Sequence, residues 1–314
     1  MNTAVEPTPA SLRNPVLRYV LATRPAFLSV TLVGCLLGIA CASGAGVRVD
    51  SLSAVLTCLF AVVAHAGVNV LNDYFDARNG TDAQNTERVY PFTGGSRFIQ
   101  NGILTERETG RFGYLLLACV VPAGLWLAFN SSPQLLVLGF AGLVVGWAYS
   151  APPLQLVCRG LGECAITIAW SLVVMGADLV QRRTLAPEAL VAGLAYALLV
   201  TNILFINQFP DERADAAAGK RTLVVRLRPG PARAVYTLIA LLSAVLLVLG
   251  VASRILPWAA LLALAPLLLS AAAARALWLS GGKPASLGGA IRLTIPAALA
   301  FGLVLAGALL WGQG

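Results

Sequence analysis

The chain has 314 residues, 58% of them hydrophobic and 11% charged. A soluble domain carries roughly 25% charged residues, so this composition excludes a soluble enzyme and describes a polytopic membrane protein in one domain, residues 1–314. The net charge of +8 implies basic loops facing anionic headgroups, or an anionic ligand, before any nucleic acid.

Residues 1–25 are mixed and polar, with Pro7, Pro9, Pro15 and Pro25, and read as a cytoplasmic tail without a signal-peptide core. Apolar segments follow at 27–45, 52–74, 112–130, 132–150, 162–181, 187–208, 232–251, 256–279 and 288–311. A span needs about 20 residues, so the expected fold is all-α, with about nine transmembrane helices in one bundle around a central cavity. Eight is the alternative if 112–150 is divided differently, but Asn130-Ser131-Ser132-Pro133 is a polar turn that splits it. With the N-terminus inside, basic residues fall 18 inside and 4 outside. The positive-inside rule then gives N-in, C-out. Six cysteines show no CxxC spacing and read as small buried hydrophobes. The one histidine, His65, argues against a His-based metal site or a Ser-His-Asp triad.

Two polar stretches interrupt this apolar order. Asn72-Asp73-x-x-Asp76, followed by Asp82, ends the second span. Asn207-Gln208-x-x-Asp211, followed by Asp215, ends the sixth, 135 positions later. With Glu87 and Glu212 they hold seven of the 14 acidic residues, which scattered surface charge would not do. Both lie on the same predicted side, and each precedes a long basic loop, from Ala77 to about Arg111 and from about Glu212 to Ala232. Matching clusters at the ends of membrane helices suggest an internal repeat with a site between its halves.

At about 100° per residue, His65, Asn69, Asn72, Asp73 and Asp76 share one helix face, as do Asn207, Gln208, Asp211 and Asp215. Only the bundle interior suits such stripes. Converging carboxylates need a cation, and oxygen-only ligands favour Mg²⁺ over Ca²⁺. Mg²⁺ commonly bridges one or two carboxylates and a substrate phosphate, which points to a lipid-tailed diphosphate. The loops offer Thr93-Gly94-Gly95-Ser96-Arg97 and Gly219-Lys220-Arg221-Thr222, whose glycines allow close backbone approach and whose cations suit phosphate oxygens. Lys220, Arg221 and Arg97 read equally as positive-inside charge.

These paired aspartate motifs resemble the UbiA-type intramembrane prenyltransferases over nearly the whole chain. Within that family the menaquinone-pathway branch, which prenylates 1,4-dihydroxy-2-naphthoate, is the most similar. Asp82 after Gly80-Thr81, Gly160-Leu161-Gly162-Glu163 with Val174-Met175-Gly176, and Ala218 to Leu223 with Val225-Arg226-Leu227 carry the likeness. Gln208 and Phe209-Pro210 depart from it. The resemblance implies Mg²⁺ as cofactor, with a polyprenyl diphosphate and an aromatic acid as substrates in the cytoplasmic (inner) membrane. It implies metal ligation by Asp73, Asp76, Asp211 and Asp215, and ligand orientation by Asn72 and Asn207. Arg97, Lys220 and Arg221 would contact diphosphate, Asp82 would assist metal or acceptor, and Tyr149 would lie near the reacting carbon.

Three residues carry competing readings. His65 is a hydrogen-bonded core histidine or an acceptor contact. Glu163 is a favourable charge at a helix N-terminus or an acceptor contact. Asp178 can pair with Arg182 at i,i+4. Other aromatic acceptors, such as 4-hydroxybenzoate, remain open. A cation-coupled transporter is the alternative from another class, but it would place its carboxylates nearer the midplane.

Overall fold

A computed structural model describes residues 6–311; the ends of both tails, 1–5 and 312–314, lie outside the described residues. The chain runs through α1 (Pro15–Ala22), α2 (Pro25–Gly44), α3 (Ser51–Asn79), α4 (Thr81–Gln84), α5 (Glu106–Asn130) and α6 (Gln134–Ser150). It continues through α7 (Gly162–Arg182), α8 (Pro187–Ala217), α9 (Leu223–Leu227), α10 (Pro229–Ala252), α11 (Leu267–Ser280) and α12 (Gly288–Trp311). The nine expected spans all fall on helices. Among the described residues, eight helices are long and apolar enough to cross a membrane. The ninth, α6, has 17 residues, about 26 Å of helix against a hydrocarbon core of ~30 Å.

Three expectations change. Within the tail, Asn14 caps α1 by accepting hydrogen bonds from the Val16 and Leu17 amides, and Leu12 and Ala22 pack against Phe98, Ile103 and Leu104. The long loops are shorter than the apolar runs suggested, because α3, α5 and α8 extend into polar sequence. The eighth span begins as a 3₁₀ turn, Trp258–Leu264, and becomes α11 only after Pro266, where proline leaves a backbone acceptor without its donor. Cys35 and Cys41 are buried, whereas Cys119 and Cys164 are exposed.

Lipid is as apolar as leucine, so helices in a bilayer associate through close packing and hydrogen bonds more than through hydrophobic transfer. Small residues do this here. A Cβ added to Gly38 on α2 would lie 2.2 Å from the Val174 carbonyl oxygen on α7. One added to Gly302 on α12 would lie 2.4 Å from Val33 on α2. Helix α8 is the most enclosed span. Its buried Tyr196 donates to the Val30 carbonyl of α2 at 2.6 Å, and its Ala195 carbonyl accepts from Ser243 of α10 at 2.7 Å. The helix runs through Pro210 as one element, so both acidic motifs sit on continuous helices ending at the same end of the bundle.

Candidate active site

Apolar sequence stops near Leu71, yet α3 continues to Asn79 and carries Asn72, Asp73 and Asp76 on its last two turns. Gly80, at φ +83°, terminates it; that left-handed turn is open to glycine at little cost. It starts α4 and buries Asp82 beside the helix that the chain has just left. The following loop folds back over the motif. Ser96 N–H donates to Asp73 Oδ2 at 3.0 Å. A Cβ added at Gly95, whose φ is +71°, would meet Asp73 Oδ1 at 2.9 Å and Asp82 Oδ2 at 3.1 Å. The two carboxylates thus share the space that the missing side chain leaves.

The second motif closes on the first. Asn85 Nδ2 donates to Asp211 Oδ1 at 2.6 Å. Gly219, at φ +75°, reverses the chain after α8, and Lys220 N–H donates back to the Asp215 carbonyl at 2.8 Å. That turn aims the Lys220 side chain into the cluster, where Nζ lies 2.9 Å from Asp76 Oδ2 and 3.6 Å from Asp215 Oδ1. Asn72 Nδ2 donates to Asp76 Oδ2 at 3.1 Å and to Ser150 Oγ at 3.0 Å, which ties in α6.

Burial works against the Lys220 charge, but Asp76 and then Asp215 outweigh it and hold its pKa above the ordinary lysine range. Burial first, then Asp76 and Asp73, raise the Asp82 carboxyl to about 8 against the pull of Lys220 and Arg97. One buried ammonium does not neutralise this cluster.

A cavity of about 630 Å³ opens beneath it. His65, Asn69, Asn72, Tyr149, Asn207 and Arg24 line its motif end, and the rest is nearly all apolar. His65 Nδ1 is 2.8 Å from Thr31 Oγ1, and its ring stands edge-on to Trp170. Asn69 donates to the Thr23 carbonyl at 3.1 Å.

Two expected members are not brought in. Arg221 is exposed and enters through its backbone alone, donating to the Cys158 carbonyl at 3.1 Å; neighbours on a turn point apart, and Lys220 took the inward position. Glu163 is buried facing α8, where its Oε1 accepts from Gln208 Nε2 at 2.6 Å. Gln208 Oε1 in turn accepts from the Val224 amide at 3.3 Å, so this pair fastens α7, α8 and α9. Arg97 reaches the cluster by donating to the Asp82 carbonyl, with Glu6 3.9 Å away. Asp178 pairs with Arg182 at 2.9 Å, as its spacing suggested.

Sequence reasoning missed Arg24, Asn85 and Glu6. Arg24 counted only as loop charge, yet its guanidinium lies 4.6 Å over Phe27 at the cavity mouth and donates to the Phe92 carbonyl. The break Thr23-Arg24-Pro25 between two helical runs was the available signal. Asn85 and Glu6 lie in polar stretches where no periodicity marks one residue over its neighbours.

Among the described residues, no three His, Cys, Asp or Glu side chains stand close enough to cage a metal by themselves. Mg²⁺ does not require that, since it takes one or two carboxylates and completes its shell with water and phosphate. Asp73 Oδ1 and Asn207 Oδ1 are buried without hydrogen-bond partners, and Asp215 Oδ1 has the Lys220 ammonium at 3.6 Å but no hydrogen bond. Buried oxygens left without hydrogen bonds, the shared space beside Gly95 and the all-oxygen donor set fit a hard divalent ion.

Two results are expected from this geometry. Alanine at Gly95 fills the space between Asp73 and Asp82 and strains a left-handed backbone, so turnover should fall at least tenfold. Near-wild-type rates in a steady-state assay would contradict the placement. The second concerns pH. The ordinary aspartate pKa is ~3.9, so between there and about 8 folded Asp82 keeps a proton that the unfolded chain has lost. Metal-free stability therefore falls as pH rises through that window. A divalent ion competes with the proton, so the thermal shift it gives should grow from pH 5 to pH 8. A shift independent of pH, read by thermal unfolding in detergent, would separate Asp82 from the ion.

Residues 27–287 match the UbiA prenyltransferase family. The chain is 33% identical over 263 residues to a 1,4-dihydroxy-2-naphthoate octaprenyltransferase of Mycobacterium tuberculosis, covering 83% of this chain and 86% of that one. It is 31% identical over 211 residues to the protein of the same name from Escherichia coli, covering 65% of this chain and 66% of that one. Its fold matches a UbiA homologue from Archaeoglobus fulgidus, solved bound to DMAPP and Mg²⁺, with a TM-score of 0.63 at 16% identity over 92% of this chain and 99% of that one.

Proposed function

Because this chain belongs to the UbiA prenyltransferase family, we propose that it moves a polyprenyl group from a polyprenyl diphosphate to 1,4-dihydroxy-2-naphthoate with loss of CO₂, a step of menaquinone biosynthesis. The observation that carries this reading is the meeting of the two acidic motifs around Lys220 at the head of a large apolar cavity. A diphosphate belongs at that polar head and a prenyl tail in the cavity below. The acceptor assignment draws support from the two bacterial relatives named for this reaction.

Asp73, Asp76, Asp211 and Asp215 would hold Mg²⁺, with Asn72 and Asn207 orienting the ligands. When bound, the ion supplies charge that stabilises a departing diphosphate. Lys220 has three N–H donors and can hold Asp76 while donating to a phosphate oxygen, and Arg97 would join it. The allylic C–O bond breaks heterolytically, and its electron pair leaves with the diphosphate. Apolar cavity walls exclude the water that would capture the resulting cation. Buried Tyr149 lies at the head of that cavity, where its ring face can stabilise positive charge. The ring carbon bearing the carboxylate forms the new C–C bond, and loss of CO₂ restores aromaticity.

Phe209 and Pro210 depart from the branch pattern and are not among the residues that line the cavity. Phe209 is buried against Phe205 and Tyr236, so the departure serves helix packing. The proposed setting is the cytoplasmic (inner) membrane, with the N-terminus and both motifs inside and the C-terminus outside, supported by the 18-to-4 division of basic residues. The acceptor is tested with carboxyl-labelled acids. Labelled CO₂ should appear in step with prenylated product from dihydroxynaphthoate. Prenylation of 4-hydroxybenzoate with no turnover of dihydroxynaphthoate would overturn the assignment.

A further inference from the structure

The loop that folds over the first motif touches the acidic cluster through neutral groups. Asn85 reaches Asp211, the Ser96 amide reaches Asp73, and Gln100 Nε2 donates to Asp82 Oδ2 at 3.2 Å. The same loop carries two arginines, Arg88 and Arg97. An unpaired guanidinium beside so many carboxylates would be drawn onto their oxygens. Among the described residues, however, Glu6 is the only carboxylate that either arginine pairs with. Its Oε1 lies 2.5 Å from Arg88 Nη2 and accepts from Arg88 Nε at 2.6 Å, and its Oε2 lies 3.9 Å from Arg97 Nε. Gly94 leaves room for this crossing, because a Cβ there would meet Arg88 Cδ at 2.7 Å. Glu6 is itself held to the loop. Asn101 Nδ2 donates to the Pro7 carbonyl at 2.9 Å and to Glu6 Oε2 at 3.4 Å, and Leu12 packs against Phe98, Ile103 and Leu104.

Arg97 stands between two anchors. Its Nη1 donates to the Asp82 carbonyl on the cluster side, and its Nε faces Glu6 on the tail side. Its backbone lies at φ +66°, a left-handed conformation that a non-glycine residue keeps only where its surroundings hold it. Its Nε–H is buried and makes no hydrogen bond. Glu6 is too far to bond that donor but close enough to balance its charge. We propose that Glu6 is a positioning residue for diphosphate binding: from the N-terminal tail it holds Arg88 and Arg97 off the aspartates, so that the carboxylates stay open and Arg97 keeps an unused donor for a phosphate oxygen. This role rests on the prenyl diphosphate reading above and makes the tail part of the site. Without the carboxylate charge, both guanidinium groups would turn inward to the aspartates and close the space that a diphosphate needs.

The test is Glu6→Gln, which keeps the length of the side chain and an acceptor oxygen but loses the charge. It should raise KM for octaprenyl diphosphate about tenfold while kcat and KM for the aromatic acid stay within about twofold. Binding of inorganic diphosphate with Mg²⁺, read by titration calorimetry in detergent, should weaken by a similar factor. Glu6→Asp keeps the charge and should recover most of the loss. In an Arg97→Gln background Glu6→Gln should cost far less, because both substitutions break the same arrangement. Glu106→Gln, an exposed site at the start of α5, removes the same charge and should leave every constant unchanged. Unchanged KM and unchanged diphosphate binding in Glu6→Gln, an equal loss in Glu6→Asp, or a fall in kcat with both KM values unmoved would overturn this role. A wild-type chain that neither binds inorganic diphosphate nor turns over octaprenyl diphosphate would overturn the prenyl diphosphate reading itself, and the role of Glu6 with it.

Discussion

Alanine in place of Asp76 or Asp211 is expected to lower prenyl transfer by about a thousandfold or more, the scale seen when a preorganised charge-stabilising group is removed. Asp76 is the point where the two halves touch, since its Oδ2 accepts from both Lys220 and Asn72. Asp211 is the matching point on α8, held by Asn85 from the first loop. Each substitution removes a proposed ligand for the cation and a tie between motif and loop. The substitutions Asp76→Asn and Asp211→Asn keep the shape and lose the charge, so a loss as large as with alanine assigns the effect to charge. The measurement is single-turnover product formation at saturating Mg²⁺. Activity within tenfold of wild type in both alanine variants would remove the motifs from the chemistry.

Lys220→Met is expected to have the largest effect on stability. The ammonium is buried between Asp76 and Asp215, and methionine keeps its length while abolishing its charge. Breaking a buried ion pair by removing one partner costs about 3–5 kcal/mol, because the remaining charge is left uncompensated. Metal-free Lys220→Met should therefore unfold at a clearly lower temperature in detergent. Adding Asp76→Asn to the same chain should recover part of the loss, because one stranded carboxylate disappears; the coupling comes from the double-mutant cycle. Additive effects of the two substitutions would show that the contact carries no energy of its own. Transfer should also fall in Lys220→Met, since the proposed phosphate donor goes with the ammonium.

The helices were legible because membrane spans obey a strong constraint: every backbone polar group in lipid must bond within its own helix. Long apolar runs therefore had to be helices, and polar turns such as Asn130-Ser131-Ser132-Pro133 had to separate them. Helix ends were less legible. Beyond the lipid no hydrophobic signal marks a boundary, so α3 and α8 continue past their apolar segments and carry the motifs as helical turns. Asp73, Asp76, Asp211 and Asp215 stood out because a carboxylate at the end of an apolar span is costly unless it is paired or binds a ligand.

Loop contacts were not legible in that way. Sequence could not choose Lys220 over Arg221, because which one faces inward depends on the left-handed turn at Gly219 and the bond it makes to α8. Glu163 pointed equally to an acceptor contact or a helix terminus, and its partner Gln208 lies on another helix. Arg24 was hidden among tail charges, since its place at the cavity depends on how α2 meets the first loop.

The central claim is tested most directly by one incubation: purified protein in detergent or lipid with Mg²⁺, octaprenyl diphosphate and 1,4-dihydroxy-2-naphthoate, analysed by mass spectrometry. The account predicts a product with the mass of the prenylated naphthalenediol lacking the carboxyl group, together with free diphosphate. Asp76→Ala and Asp211→Ala should yield almost none. No prenylated product with this or any other aromatic acid, or undiminished product from both variants, would contradict the account.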